Sequence, residues 1–267
     1  MQITAIPDVS EVLPPEGVHL ERADNPGLLS LAGTNTWILA GRSPHSTVVI
    51  DPGPPQGPHL EAILSHGRPA AIILTHQHLD HSEVAPALAA EFGIPVFAAL
   101  PELAVGTTAL ADGDIIDEAG WQLTVLGTPG HTIDSVCLQI ERALFTGDTL
   151  LGGSTTIIAP PSGSLADYFA TMTRLGALRE TPGFPGHGPA FSSVGAWATH
   201  NAQYREERLA QLVEVFAQLA DSGIPTLSAV ASATYGENGE PVAGYIEAMT
   251  DAQLRFLNDR GDISRWS

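Results

Sequence analysis

Short, nearly unbroken apolar runs separated by glycine- and proline-bearing turns fill the first two-thirds of the chain. Between residues 18 and 50 the alternation reads as strands and hairpins, with turns at Asn25-Pro26-Gly27 and Gly41-Arg42-Ser43-Pro44. Residues 33–39 and 47–50 are the clearest strands there. The second stops at Asp51-Pro52-Gly53-Pro54-Pro55, where the prolines deny both helix and ladder. A short helix is expected over residues 59–66. The run Ala70-Ala71-Ile72-Ile73-Leu74 has no polar interruption, the signature of a strand buried on both faces. A helix over residues 83–91 should follow, broken by Gly93 and Pro95 before the strand-like Val96-Phe97-Ala98. Strand, helix, strand implies an α/β layered domain.

Residues 121–126 and 136–140 alternate as strands around the turn Gly127-Thr128-Pro129-Gly130-His131-Thr132, and residues 143–146 lead into Gly147-Asp148-Thr149. Leu165, Phe169, Met172, Leu175 and Leu178 recur at helical spacing behind Ser164, a natural N-cap. From about Trp197 the grammar changes to helices. One carries the stripe Leu209, Leu212, Val213, Phe216 and Leu219; a second is capped by Thr226 and ends at Tyr235-Gly236; a third covers residues 241–260. Residues 263–266 read as a terminal strand. A catalytic domain over residues 1–196 and a small helical domain over 197–267 are therefore expected, and 267 residues suffice for one large core plus an appendage.

Charge narrows the partners. The formal net charge is −19, and all 11 basic residues are arginine. Such a surface repels phosphate backbones and disfavours nucleic acid as a partner, although a local basic pocket would escape the average. The single cysteine, Cys137, excludes an intramolecular disulfide framework and lies in an apolar stretch that suits a buried thiol. No apolar run reaches membrane-spanning length, and the N-terminal residues 1–8 carry no basic segment. A cytoplasmic protein acting on a small molecule, without a membrane partner, is expected.

The chemistry concentrates in Thr75-His76-Gln77-His78-Leu79-Asp80-His81, directly after the buried strand. Three imidazoles and a carboxylate in a loop at a strand end are donors that a borderline metal such as zinc takes. His131 and His187 sit in Gly/Pro turns of their own, and Asp51 and Asp148 each stand just past a strand. Asp51 is placed to hold the free N–H of a metal-bound imidazole; its alternative is a turn-initiating residue before Pro52. His19, His45, His59, His66 and His200 lack ligand company in sequence and are assigned surface or capping roles.

The pieces His76-x-His78-x-Asp80-His81, Gly130-His131-Thr132, Thr146-Gly147-Asp148 and Gly186-His187-Gly188 closely resemble, in this order, the metallo-β-lactamase fold superfamily of metallohydrolases. The resemblance implies an αββα sandwich with metals at one edge of two sheets. It implies one metal on His76, His78 and His131, a second on Asp80, His81 and His187, and Asp148 bridging them. Two zinc ions, or iron or manganese on the same donors, would share a nucleophilic hydroxide. Asp80 would double as the residue that orients the nucleophile or passes a proton to the leaving group. Residues 151–165 and the helical tail resemble the lactamase-β-like protein 2 subgroup, which ends in a winged-helix domain. The tail carries ten acidic residues against five arginines, so it reads as a cleft wall or dimer contact rather than a DNA reader.

Within the resembled family, Asp148 argues against antibiotic lactamases, which place Cys or Ser there, and His78 argues against flavodiiron proteins. A zinc-dependent hydrolase of small thioesters, lactones or activated esters is the expectation. A single-strand endoribonuclease is the alternative; a β-lactam hydrolase or an iron-dependent sulfur oxygenase ranks lower.

Overall fold

The structure is a computed structural model that describes residues 12–41, 45–221, 223, 225–236, 242–264 and 266. The N-terminal residues 1–8, most of the turn at 41–44, Pro241 and Arg265 lie outside the described residues. Two five-stranded sheets form the centre. The first runs in spatial order β1(Val18–Arg22), β2(Asn35–Ala40), β3(Ser46–Ile50), β4(Arg68–Ile73), β5(Val96–Phe97). The second runs β10(Gly183–Pro185), β9(Ala143–Gly147), β8(Val136–Ile140), β7(Trp121–Gly127), β6(Ile115–Glu118).

Alternation along each strand divides the core. In the first sheet Trp37, Leu39, Val48, Ile50 and Ile73 meet Leu123, Val125, Leu138, Phe145 and Phe184 of the second. The intervening Ile38, Val49 and Ile72 face outward onto α1(Gly57–Ser65) and α3(Ala85–Phe92), through Ile63 and Leu88. The apolar runs look continuous because both faces of these strands are buried. On the far face of the second sheet, Cys137 and Leu144 pack on α4(Leu165–Leu175) and on the first turns of α5(Val194–Ala220). The architecture is the expected αββα sandwich.

The metal-motif segment is not a plain loop. Leu79–Ser82 forms a one-turn helix, α2, separate from the expected helix over 83–91, which is present as α3 and starts at Ala85. Pro86 supplies the reason: it has no N–H, and its ring crowds the carbonyl four residues back. Ser164 caps α4 as expected, accepting from Asp167 N–H at 3.3 Å. β10 was hidden in the sequence behind Pro182 and Pro185; proline is tolerated because this strand is the sheet's edge.

α5 crosses residue 197 without a break, its start in the sandwich core and its later turns in a separate cluster. That cluster joins Leu209, Leu212 and Phe216 to Val230 of α6(Leu227–Tyr235) and to Leu254 and Leu257 of α7(Val242–Arg260). The helical tail is as expected. The terminal strand over residues 263–266 is not: residues 261–264 are turn and bends, Ile263 is buried in the cluster, and Trp266 packs edge-on against Phe216 at 6.2 Å. Among the described tail residues no other strand exists to pair with it, and an unpaired strand leaves its backbone groups unsatisfied. Among the described residues no helix is long and apolar enough to cross a membrane.

Candidate metal centre

All seven residues expected as ligands converge at one end of the two sheets, where β4, β9 and β10 finish. β4 delivers His76 and His78, and α2 delivers Asp80 and His81. The turn after β7 brings His131, the end of β9 brings Asp148, and the turn after β10 brings His187. They form two neighbouring triads. His76, His78 and His131 have their ligand atoms within 4.8 Å of one another, and so do Asp80, His81 and His187. In the first, His78 Nδ1 lies 3.0 Å from His76 Nε2 and 2.9 Å from His131 Nε2. In the second, His81 Nε2 lies 3.1 Å from His187 Nε2, and Asp80 Oδ2 lies 3.2 Å from His187 Nε2. Asp148 stands between them, 3.8 Å from His131 Nε2 and 3.5 Å from both His81 Nε2 and His187 Nε2.

The far sides of the rings decide which nitrogen is free. His131 Nδ1 sits 2.7 Å from the Ile157 carbonyl and His187 Nδ1 3.1 Å from the Gly33 carbonyl. A carbonyl only accepts, so these nitrogens carry the proton and each Nε2 is the atom that can offer a lone pair to a metal. His81 Nδ1 donates to Asp51 Oδ2 at 2.9 Å.

Asp51 also falls in a triad with His76 and His81. Its oxygens are already committed, however: Oδ1 accepts from Thr75 N–H at 2.8 Å, and Oδ2 accepts from the Thr75 hydroxyl at 2.7 Å as well as from His81. Geometrically it is a holder of His81, and its left-handed φ of 51° is braced by Thr36, whose hydroxyl donates to the Asp51 carbonyl at 2.6 Å. Replacing Asp51 by asparagine is expected to weaken metal binding at the His81 position about 10- to 100-fold, read by chelator competition. Unchanged affinity there would reduce Asp51 to a turn residue.

The donor set fits a metal pair. Nitrogens around one tetrahedral zinc sit roughly 3.3 Å apart, given Zn–N distances of about 2.0–2.1 Å. The observed separations of 2.9–3.1 Å are close to that edge. Asp148 Oδ1 is buried without a hydrogen-bond partner, which is costly unless a cation faces it. Gly186 keeps the space clear, since a Cβ there would lie 2.6 Å from Asp148 Oδ1 and 2.7 Å from His81 Cε1.

Electrostatics separate the triads. Burial pushes His76 well below its usual value and His131 down to about 4, and burial also lowers His78, so the first triad is neutral near pH 7. Burial opposes charge on His81 too, but the carboxylates of Asp148, Asp51 and Asp80 outweigh it and carry that ring up to about 9. His187 is likewise raised, burial being overcome by Asp148 and by its hydrogen bond to Asp80. Burial alone would raise Asp80; His187 and His81 hold it well below the ordinary carboxylate range.

Several supporting residues escaped the sequence reading. Asn35 Nδ2 donates to the carbonyls of Pro185 at 3.0 Å and Gly188 at 2.9 Å, tying the His187 turn to the first sheet. His59 is buried rather than at the surface, with Nε2 2.9 Å from the Thr36 hydroxyl. His200 is buried as well, edge-on to Trp197. The Thr156 hydroxyl lies 2.9 Å from His131 Nδ1, and the Thr156 carbonyl accepts from buried Arg205 of α5, linking the tail to a ring of the first triad. The available signal was Thr34-Asn35-Thr36, three polar residues opening an otherwise apolar strand.

The comparisons agree with this geometry. The family model of the metallo-beta-lactamase superfamily matches residues 30–187, and the chain belongs to that superfamily. Its His/Asp cluster is accordingly of the kind that binds divalent metal. Among curated relatives, an atrochrysone carboxyl ACP thioesterase of Aspergillus fumigatus is 29% identical over 96% of this chain and 82% of its own length. A beta-lactamase-like protein 2 homolog of Caenorhabditis elegans is 30% identical over 72% of this chain and 68% of its own length. In fold, a metallo-beta-lactamase family protein of Thermus thermophilus superposes with a TM-score of 0.79 at 21% identity, covering 94% of this chain and 96% of that one.

Proposed function

We propose that this chain is a dinuclear, zinc-dependent hydrolase of a small thioester, with lactones and activated esters as related substrates. The observation that carries the reading is the pair of triads arranged around the single carboxylate of Asp148. When bound, two divalent ions supply Lewis-acid polarisation of a carbonyl and a water that ionises near neutral pH. Asp80, with its side chain 34% exposed, is the ligand carboxylate that reaches furthest toward solvent. It would accept the proton of the attacking water on a carboxylate oxygen and pass it toward the departing group.

The leaving group follows from what surrounds the cluster. Among the described residues lining the adjoining cleft, the only carboxylates are Asp80 and Asp148. A thiolate, with a pKa of about 8.5, departs without a strong acid beside it, whereas an alkoxide or amide nitrogen does not. The thioesterase name of a relative matched over 96% of this chain supports the same class.

Hydrolysis of a thioester panel beside a single-stranded RNA tests the reading. Asp80→Ala is expected to lower kcat by about 100- to 10,000-fold, the range that a positioned proton acceptor contributes. RNA cleavage without thioester cleavage would move the protein to the endoribonucleases. One iron per chain with oxygen uptake would replace hydrolysis by oxygenase chemistry.

A further inference from the structure

A cleft of about 640 Å³ opens directly onto His78, Asp80, His131, Asp148 and His187, and its outer walls are unusual for a surface. Nine large hydrophobic side chains are exposed among the described residues; four of them, Leu28, Leu29, Leu79 and Tyr245, line this one cleft. Leu28 and Leu79 are 66% and 67% exposed, an expense in hydration that a scattered surface leucine would not share with its neighbours. They come from three separate parts of the chain: the segment before β2, the start of α2, and α7 of the tail. Beneath them lie Leu151 and Ile157. Away from the cluster of histidines and Asp80 and Asp148, the polar lining is neutral, Asn25, Ser30 and a few hydroxyls, and no basic side chain among the described residues lies there.

We infer that this cleft is a slot for the uncharged, apolar acyl part of the substrate, with Tyr245 of the helical tail as its outer wall. The inference rests on the thioester reading and names which substrates that site selects. Apolar walls reward each buried methylene, so selectivity grows with acyl length until the slot is full. With no cationic side chain among the described residues of the outer walls and a net charge of −19, an anionic thiol carrier gains no ion pair from those walls and is repelled at long range. A neutral thiol carrier is preferred, and the disadvantage of an anionic one shrinks as salt screens the repulsion. The tail thereby becomes a specificity element, in keeping with its acidic composition.

The test uses acetyl, butyryl and octanoyl thioesters of N-acetylcysteamine, with the octanoyl amide as an uncleavable probe. From acetyl to octanoyl, kcat/KM is expected to rise at least about tenfold. Tyr245→Ala and Leu28→Ser should each shrink that ratio at least about threefold, mainly through KM. The same variants should weaken binding of the octanoyl amide to chelator-treated protein, a readout independent of turnover. Both positions are exposed, and circular dichroism is the control for folding of the variants. A flat chain-length profile with measurable acetyl hydrolysis overturns the slot and leaves the hydrolase standing. Uncleaved thioesters with tight, variant-sensitive binding of the amide overturn the hydrolase and keep the slot. Neither cleavage nor binding sinks both.

Discussion

Replacing Asp148 by alanine is expected to leave one metal per chain instead of two, and to lower kcat/KM for a thioester at least about 100-fold. The side chain lies between the triads, 3.8 Å from His131 Nε2 and 3.5 Å from His81 Nε2 and His187 Nε2. Its Oδ1 is buried without a hydrogen-bond donor, so the variant breaks no hydrogen bond of that oxygen. The triad of His76, His78 and His131 is complete without it, and burial already keeps those rings neutral. The second triad lies nearer to Asp148, whose oxygens stand 3.5 Å from both His81 Nε2 and His187 Nε2 against 3.8 Å from His131 Nε2. Elemental analysis of the purified variant, with circular dichroism as the folding control, checks the outcome. Two metals retained in Asp148→Ala would sink the bridging assignment. Asp148→Asn, which keeps the shape but removes the anionic charge, should fall between the two.

Proton release is expected to distinguish the two metal positions. At pH 7 the histidines of the first triad are already deprotonated, so a first equivalent of zinc should displace no imidazolium proton. The second position should release at least one proton, because His81 titrates near 9 in the metal-free protein and His187 is also raised. The sign follows from competition: below a ligand's pKa the metal must expel a proton, so affinity for the second metal climbs with pH toward 9 and then levels. Each proton expelled makes that climb about tenfold per pH unit. Calorimetry in buffers of different ionisation enthalpy counts the protons. Release that persists unchanged above pH 9 would come from solvent rather than from His81, and equal release by both equivalents would contradict the electrostatic division.

Much of this was readable before any tertiary structure. The uninterrupted run before Thr75 announced a strand buried on both faces, and Ile72 and Ile73 do face the helix layer and the sheet interface respectively. The glycine and proline around His131 and His187 announced loops, and both residues stand at strand ends by the cluster. Other features resisted because their causes are not local. β10 is three residues long with a proline inside, and it exists as a strand because β9 supplies the ladder. His59 looked like a helix-end residue, yet it is buried against Thr36, 23 positions earlier. The terminal strand failed for the converse reason: no partner edge is present among the described tail residues.

The sequence by itself determined the donor types, their order and their positions just past strands, since a buried strand has to end in a loop and the side chains there are free to meet. It also set a charge that disfavours polyanions. Only the tertiary structure decided what those donors are. His81 and His187 lie 106 positions apart and yet 3.1 Å from each other, and which of their nitrogens is free depends on Asp51 and on the Gly33 carbonyl behind them. The same packing brings Tyr245 of α7 to the cleft beside Leu28 and Leu79, a wall that no local pattern contains. Ligand identity is a property of residues; charge state and the shape of the slot are properties of their neighbours in space.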